Sequence, residues 1–161
     1  MTATIHPDTR VGHVHLKVTD LDRSIAFYRD VLGFEITQRY GDAAAFLSAG
    51  GYHHHIGLNT WHSRGGIPAP AHAAGLYHVA FVLPDRAALG AALQRVLDHG
   101  TTLDGAADHG VSEAVYFRDP DGNGIELYVD RAPGDWPRNA DGTLAMVNAP
   151  LDVPALLADA G

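Results

Sequence analysis

Residues 11–19 alternate in polarity. Val14, Leu16 and Val18 fall on one face and His13, His15 and Lys17 on the other, the period of a half-buried strand. Asp20 then offers a helix N-cap, and Leu21, Ile25, Tyr28, Val31 and Leu32 recur at helical spacing until Gly33 ends the run. Residues 34–40, 44–47 and 53–58 follow as predicted strands, separated by Gly41-Asp42 and Gly50-Gly51.

The same order returns downstream: a strand over 76–83, a helix over 86–98 ending near Gly100, then strands over 101–104, 113–117 and 125–129. The repeat is also positional. It lays His13 on His78, Val14 on Val79, Asp20 on Asp85, Ala26 on Ala91, Val31 on Val96 and Leu32 on Leu97. Two βαβββ units, residues 11–59 and 76–130, are therefore expected, each unable to bury its sheet face alone. The predicted fold is α+β, with the tandem units forming one curved mixed sheet, helices outside, in a single domain over residues 1–161. Residues 63–75, rich in Gly, Pro and Ala, read as a linker, and 131–161 as a C-terminal tail with a short helix over 151–157.

Composition narrows the function. At 161 residues the chain can bury a core without staples, and it has no cysteine, which removes disulfide and thiolate chemistry. Eleven Lys plus Arg against 19 Asp plus Glu give a net charge of −8, so nucleic acid and anionic membrane surfaces are not expected as partners. Residues 1–10 carry no basic segment followed by an apolar one, and no run approaches the roughly 18 apolar residues of a membrane span; a cytoplasmic protein is expected. Eleven histidines is a high number, and four of them lie between Tyr52 and His62. Imidazole is the commonest transition-metal ligand, so the excess directs attention to a metal site.

A lone histidine at the start of a strand is more often structural than ligating, and Glu126, after the turn Asp119-Pro120-Asp121-Gly122-Asn123-Gly124, suits a solvated strand equally well. The repeat changes that balance. His13 and His78 hold the same place in two copies of one unit, and strand parity turns both, with Glu126, away from the helices. Three polar groups converging on one concave face are costly to bury unless something satisfies them, and a divalent cation does so. Two imidazoles and a carboxylate leave positions open, the facial set suited to non-haem Fe(II) and oxygen. Asp119 and Asp121 are expected to build the turn rather than to react.

Gly12-His13, Asp20-Leu21-Asp22-Arg23-Ser24, Phe27-Tyr28, Leu32-Gly33-Phe34, Tyr77-His78 and the segment from Asp119 to Glu126 together resemble the vicinal oxygen chelate superfamily over residues 11–130. That superfamily includes glyoxalase I, extradiol dioxygenases, fosfomycin-resistance transferases and bleomycin-binding proteins. The resemblance implies up to four ligand positions, on the first and last strand of each unit. The position equivalent to Glu126 in the first unit is Gly57, which argues against a glyoxalase I. The remaining set is shared by type I extradiol dioxygenases and fosfomycin transferases.

The resemblance to the extradiol enzymes extends to His54, three positions before Gly57, to His109-Gly110-Val111-Ser112, and to Tyr116, ten positions before Glu126. It implies that His13, His78 and Glu126 hold Fe(II) or Mn(II), that His54 is the acid–base residue, and that His109 and Tyr116 hydrogen-bond the oxygens of a small aromatic diol attacked by O₂. A homodimer is implied as well. The seven residues from His109 to Tyr116 are fewer than usual there, so a trimmed hairpin is expected. Parity counted from Gly57 points His53 and His55, rather than His54, into the cleft; a bulge would reconcile the two. A Mn-dependent fosfomycin-type thiol transferase and a metal-free bleomycin-type binding protein are the alternatives.

Overall fold

The computed structural model describes residues 4–161 and divides into two compact units, one ending at Ile67 and the other running from Pro68 to Gly161. In the first, β1 (Val14–Lys17), α1 (Leu21–Ala26), β2 (Glu35–Tyr40), β3 (Ala44–Ser48) and β4 (Ile56–Asn59) follow the predicted order. The sheet order is β1-β4-β3-β2, with β1 parallel to β4 and the other pairs antiparallel. Asp20 caps α1 as expected, its carboxylate accepting the Arg23 N–H at 3.0 Å. The helix then widens into a π-helical turn over Phe27–Val31, ended by Gly33 at φ 85°. Leu16, Val18, Leu21, Ile25, Tyr28, Ile56 and Leu58 form the buried face, while His13, His15 and Lys17 are exposed.

The second unit repeats the plan with β5 (His78–Val82), α2 (Arg86–Asp98), β6 (Leu103–Asp108), β7 (Ser112–Arg118) and β8 (Gly124–Asp130). Its order is β5-β8-β7-β6, again with the first pair parallel. Asp85 caps α2 through the Ala88 N–H at 2.8 Å. The ladders thus make two mixed sheets, one in each unit, within the predicted α+β class.

Two details of the second unit differ from expectation, and the expected terminal helix is present. The strand expected over 101–104 lies further on, because a bulge between Leu103 and Gly105 takes Asp104 out of the ladder and pairing continues through small residues to Asp108. The two-residue β9 (Ala149–Pro150) adds to the β6 edge, held by pairing to distant residues rather than by any pattern of its own. The terminal helix α3 (Val153–Ala158) packs on α2 with Leu156 fully buried. Gly90 allows that approach, since a Cβ there would lie 2.5 Å from the Leu156 carbonyl oxygen.

Candidate functional site

In the second unit one rung of the sheet carries Ala80, Glu126 and Tyr116 on β5, β8 and β7. The preceding turn is built as expected: Asp119 Oδ1 accepts the N–H groups of Asp121 (2.9 Å) and Asn123 (2.8 Å). Gly124 follows, opposite His78. A Cβ on Gly124 would lie 2.2 Å from the Tyr77 carbonyl oxygen and 3.0 Å from His78 Cβ, so only glycine admits β5 at this distance. Glu126, two residues on and on the same face, reaches diagonally to His78, its Oε2 2.9 Å from His78 Nε2.

The other oxygen of Glu126 accepts the Tyr116 hydroxyl at 2.8 Å, and the same hydroxyl is 2.8 Å from His109 Nε2. His109 Nδ1 lies 3.0 Å from the Val147 carbonyl oxygen. A carbonyl only accepts, so Nδ1 carries the proton in that bond. Tyr116 has one proton to give. When His109 is neutral, Nε2 competes with Glu126 for it; when His109 is an imidazolium, Nε2–H donates to Tyr116 and Tyr116 to Glu126. Burial first, and then the hydrogen bond to and the charge of Glu126, push the Tyr116 hydroxyl well above the ordinary tyrosine range. It stays protonated at neutral pH. A cavity of ≈530 Å³ opens here, lined by Tyr77, His78, Gly105, His109, Tyr116 and Asn148 among others.

In the first unit the corresponding rung carries His15, Gly57 and Phe46. Gly57 stands where Glu126 stands in the second unit, and its missing side chain is replaced by the His15 ring: a Cβ on Gly57 would come within 2.9 Å of His15 Cγ. The small residue and the long one have exchanged strands, Ala80 with Glu126 in one unit, His15 with Gly57 in the other. His13 directly precedes β1. Its ring is 4.5 Å from that of His54, which also lies 5.0 Å from Phe46. His53 Nδ1 and His54 Nδ1 are 2.7 Å apart. Burial first, then the charges of His13, His53, His15 and His55, hold His54 below the ordinary imidazole value.

The three histidines differ in their neighbours. His55 Nδ1 engages Ser48 Oγ at 3.0 Å and its ring lies toward Phe34, whereas the His54 ring accompanies His13. No bulge is needed. These histidines sit in the turn before β4, outside the strand whose parity was counted.

The His78 and Glu126 donors suit a divalent ion. Adjacent donors around a six-coordinate ion with bonds of about 2.0–2.1 Å are about 3 Å apart, and these are 2.9 Å apart. One feature departs from usual metal sites: His78 Nδ1 is buried without a hydrogen-bond partner among the described residues, where a ligating imidazole normally donates its second N–H. Among the described residues no three His, Asp or Glu side chains gather into a group able to hold a metal ion; His78 and Glu126 belong to the second unit and His13 to the first. Val147 and Asn148 were not foreseen, since they lie in the tail beyond the repeat.

A tandem βαβββ fold with this rung of polar groups defines a class of proteins, and a family model confirms it. Residues 10–127 match the Glyoxalase/Bleomycin resistance protein/Dioxygenase superfamily, and the chain belongs to that superfamily. Catechol-2,3-dioxygenase of Bacillus subtilis (strain 168) is 42% identical over 158 residues, covering 98% of this chain and 54% of that protein. The chain thus spans about half the length of that relative. Metallothiol transferase FosB of Staphylococcus epidermidis (strain ATCC 12228 / FDA PCI 1200) is 30% identical over 123 residues, 75% of this chain and 82% of that protein. Among solved structures, a glyoxylase/bleomycin resistance protein/dioxygenase domain from Frankia sp. EAN1pec matches with a TM-score of 0.64 and 26% identity, over 76% of this chain and 98% of that one. No helix among the described residues is long and apolar enough to cross a membrane.

Proposed function

We propose that this protein is a metal-dependent extradiol dioxygenase, opening the ring of a catechol-type aromatic diol beside its hydroxyls and placing both atoms of O₂ in the product. The observation that carries this reading is the Glu126 carboxylate, with His78 Nε2 at one oxygen and the Tyr116 hydroxyl at the other. The 42% identity to a catechol-2,3-dioxygenase supports it.

In this reading His13, His78 and Glu126 are the ligands, with Fe(II) as the metal and Mn(II) as the alternative. A bound ion of this kind supplies Lewis acidity that lowers the pKa of a diol hydroxyl and a path for electrons from ring to oxygen. The remaining work falls to the chain. His54, kept neutral near pH 7 by burial and by neighbouring imidazoles, takes the proton of the second hydroxyl and later returns it. Tyr116 orients the carboxylate and remains protonated, and with His109 it offers the ring oxygens a polar edge along the cavity.

Thiol transfer to a phosphonate is the second reading, favoured by the likeness to FosB over most of that protein's length. It needs cationic groups free to bind the anion, and the arginine lining the cavity, Arg118, is paired with Asp104 at 2.8 Å. Anaerobic reconstitution with Fe(II) or Mn(II), followed by oxygen uptake and ring-cleavage absorbance on a panel of catechols, tests the proposal. Oxygen uptake matched by a ring-cleavage chromophore supports it. Metal binding without either, together with thiol consumption in the presence of fosfomycin, overturns it.

A further inference from the structure

The family match ends at residue 127, yet the chain beyond it returns to the candidate site. The return is anchored at several points. Trp136 Nε1 donates to the Arg131 carbonyl at 2.8 Å, Ala145 N–H to the Pro137 carbonyl at 2.8 Å, and β9 pairs with the end of β6. Between these anchors Val147 meets His109 twice. Its N–H donates to the His109 carbonyl at 3.0 Å, and its own carbonyl oxygen lies 3.0 Å from His109 Nδ1. Gly110 makes room for the crossing: its φ is +76°, and a Cβ there would lie 2.9 Å from Pro137 Cγ and 3.3 Å from Val147 Cγ2.

We propose that Val147 is a positioning residue, whose backbone holds His109 as the Nδ1–H tautomer and so keeps Nε2 an acceptor facing the Tyr116 hydroxyl. Which ring nitrogen carries the proton is set by the hydrogen bond the other atom makes. The Val147 carbonyl has no proton to give, so a neutral His109 bonded to it keeps its proton on Nδ1 and a lone pair on Nε2. That lone pair is 2.8 Å from the Tyr116 oxygen. The other tautomer would present Nε2–H there and reverse that hydrogen bond, with His109 donating to Tyr116 and Tyr116 left to donate to Glu126 alone. The function of this tautomer rests on the dioxygenase reading above; its existence does not.

Long-range ¹H–¹⁵N spectra of the metal-free, full-length protein, taken well above the imidazole titration range, read the tautomer directly, with His109→Gln assigning the signal. A single Nδ1–H form is expected. An Nε2–H form or an averaged pair in the unmutated chain overturns the proposal, with or without any enzyme activity. Val147→Pro, which deletes the N–H given to His109, is expected to shift His109 toward a tautomer mixture, whereas Val147→Ala, which keeps both backbone bonds, leaves it unchanged. A folded Val147→Pro protein that keeps a pure Nδ1–H form also sinks the idea.

Oxygen uptake supplies the second arm. Val147→Pro should lower kcat by about 10–100-fold, with a smaller change in KM, and add nothing in a His109→Gln background. Equal losses in both backgrounds indicate a merely structural role and overturn the positioning claim. Absence of diol turnover in every variant refutes the dioxygenase reading instead and leaves the spectra to decide the tautomer.

Discussion

Glu126 and Tyr116 stand directly opposite each other on β8 and β7, and the hydroxyl donates to the carboxylate at 2.8 Å. The same rung of the first unit holds Gly57 and Phe46, so neither half of that pair is repeated. One copy of the repeat carries the carboxylate and the tyrosine bonded to it. The other put the His15 imidazole into the space instead.

That exchange makes Gly57 sensitive to the smallest addition. Gly57→Ala drives a Cβ to within 2.9 Å of His15 Cγ and is expected to destabilise by about 1–3 kcal/mol, the usual cost of overpacking. In a His15→Ala background the cost should nearly vanish. Denaturant unfolding of the four proteins of this cycle measures the coupling; additive losses would show that the ring does not cover Gly57.

Tyr116 predicts an alkaline signature. Its folded-state pKa is raised, so the stabilising contribution is complete below the unfolded value of about 10 and is lost as pH rises through the folded value. Tyr116→Phe lacks a group to ionise in the unfolded chain. It should be less stable than the parent at neutral pH, and the gap should narrow above about pH 10. A gap that is constant between pH 7 and 11 would mean that Tyr116 titrates normally.

Metal content separates ligands from neighbours. His78→Ala and Glu126→Ala, with His13→Ala, should abolish most metal uptake, while His54→Ala lowers affinity by about 10–100-fold at most. The basis is the 2.9 Å spacing of the His78 and Glu126 donors and the place His13 shares with His78 in the repeat. Full occupancy retained in both His13→Ala and Glu126→Ala would remove the ligand assignment.

The three adjacent histidines give a graded test. His54→Asn should lower turnover by roughly 10²–10⁴, the contribution of a positioned acid–base group, with metal content unchanged. His55→Asn removes the bond to Ser48 and should act on stability more than on turnover. His53→Asn is the internal control. A large loss confined to His55→Asn moves the acid–base role one residue along.

Much of this is legible in the sequence alone. The caps at Asp20 and Asp85 and the extent of α2 come from local spacing, and they reappear in the structure. The turn at Asp119 was also readable, since a short carboxylate two to four residues from the amides it accepts needs no distant partner. The directions of the His53, His54 and His55 side chains were not readable. Parity assigns faces only inside a strand, and these residues precede β4, where the backbone bonds of His55 to Leu47 and Val14 set the directions.

The sequence by itself determined the units, their element order and the chemical groups available, because periodicity and capping act over a few residues. Tertiary structure alone decided which groups meet. The His15 ring over Gly57, Tyr116 on Glu126, and Val147 on His109 are contacts across 42, 10 and 38 residues, the last two read from their hydrogen bonds and the first from positions 15 and 57. Each depends on strand register, on the absence of a Cβ at Gly57, Gly110 or Gly124, and on a tail that carries no periodicity. A chain-local pattern cannot encode a distance between residues whose approach is set by the packing of everything between them.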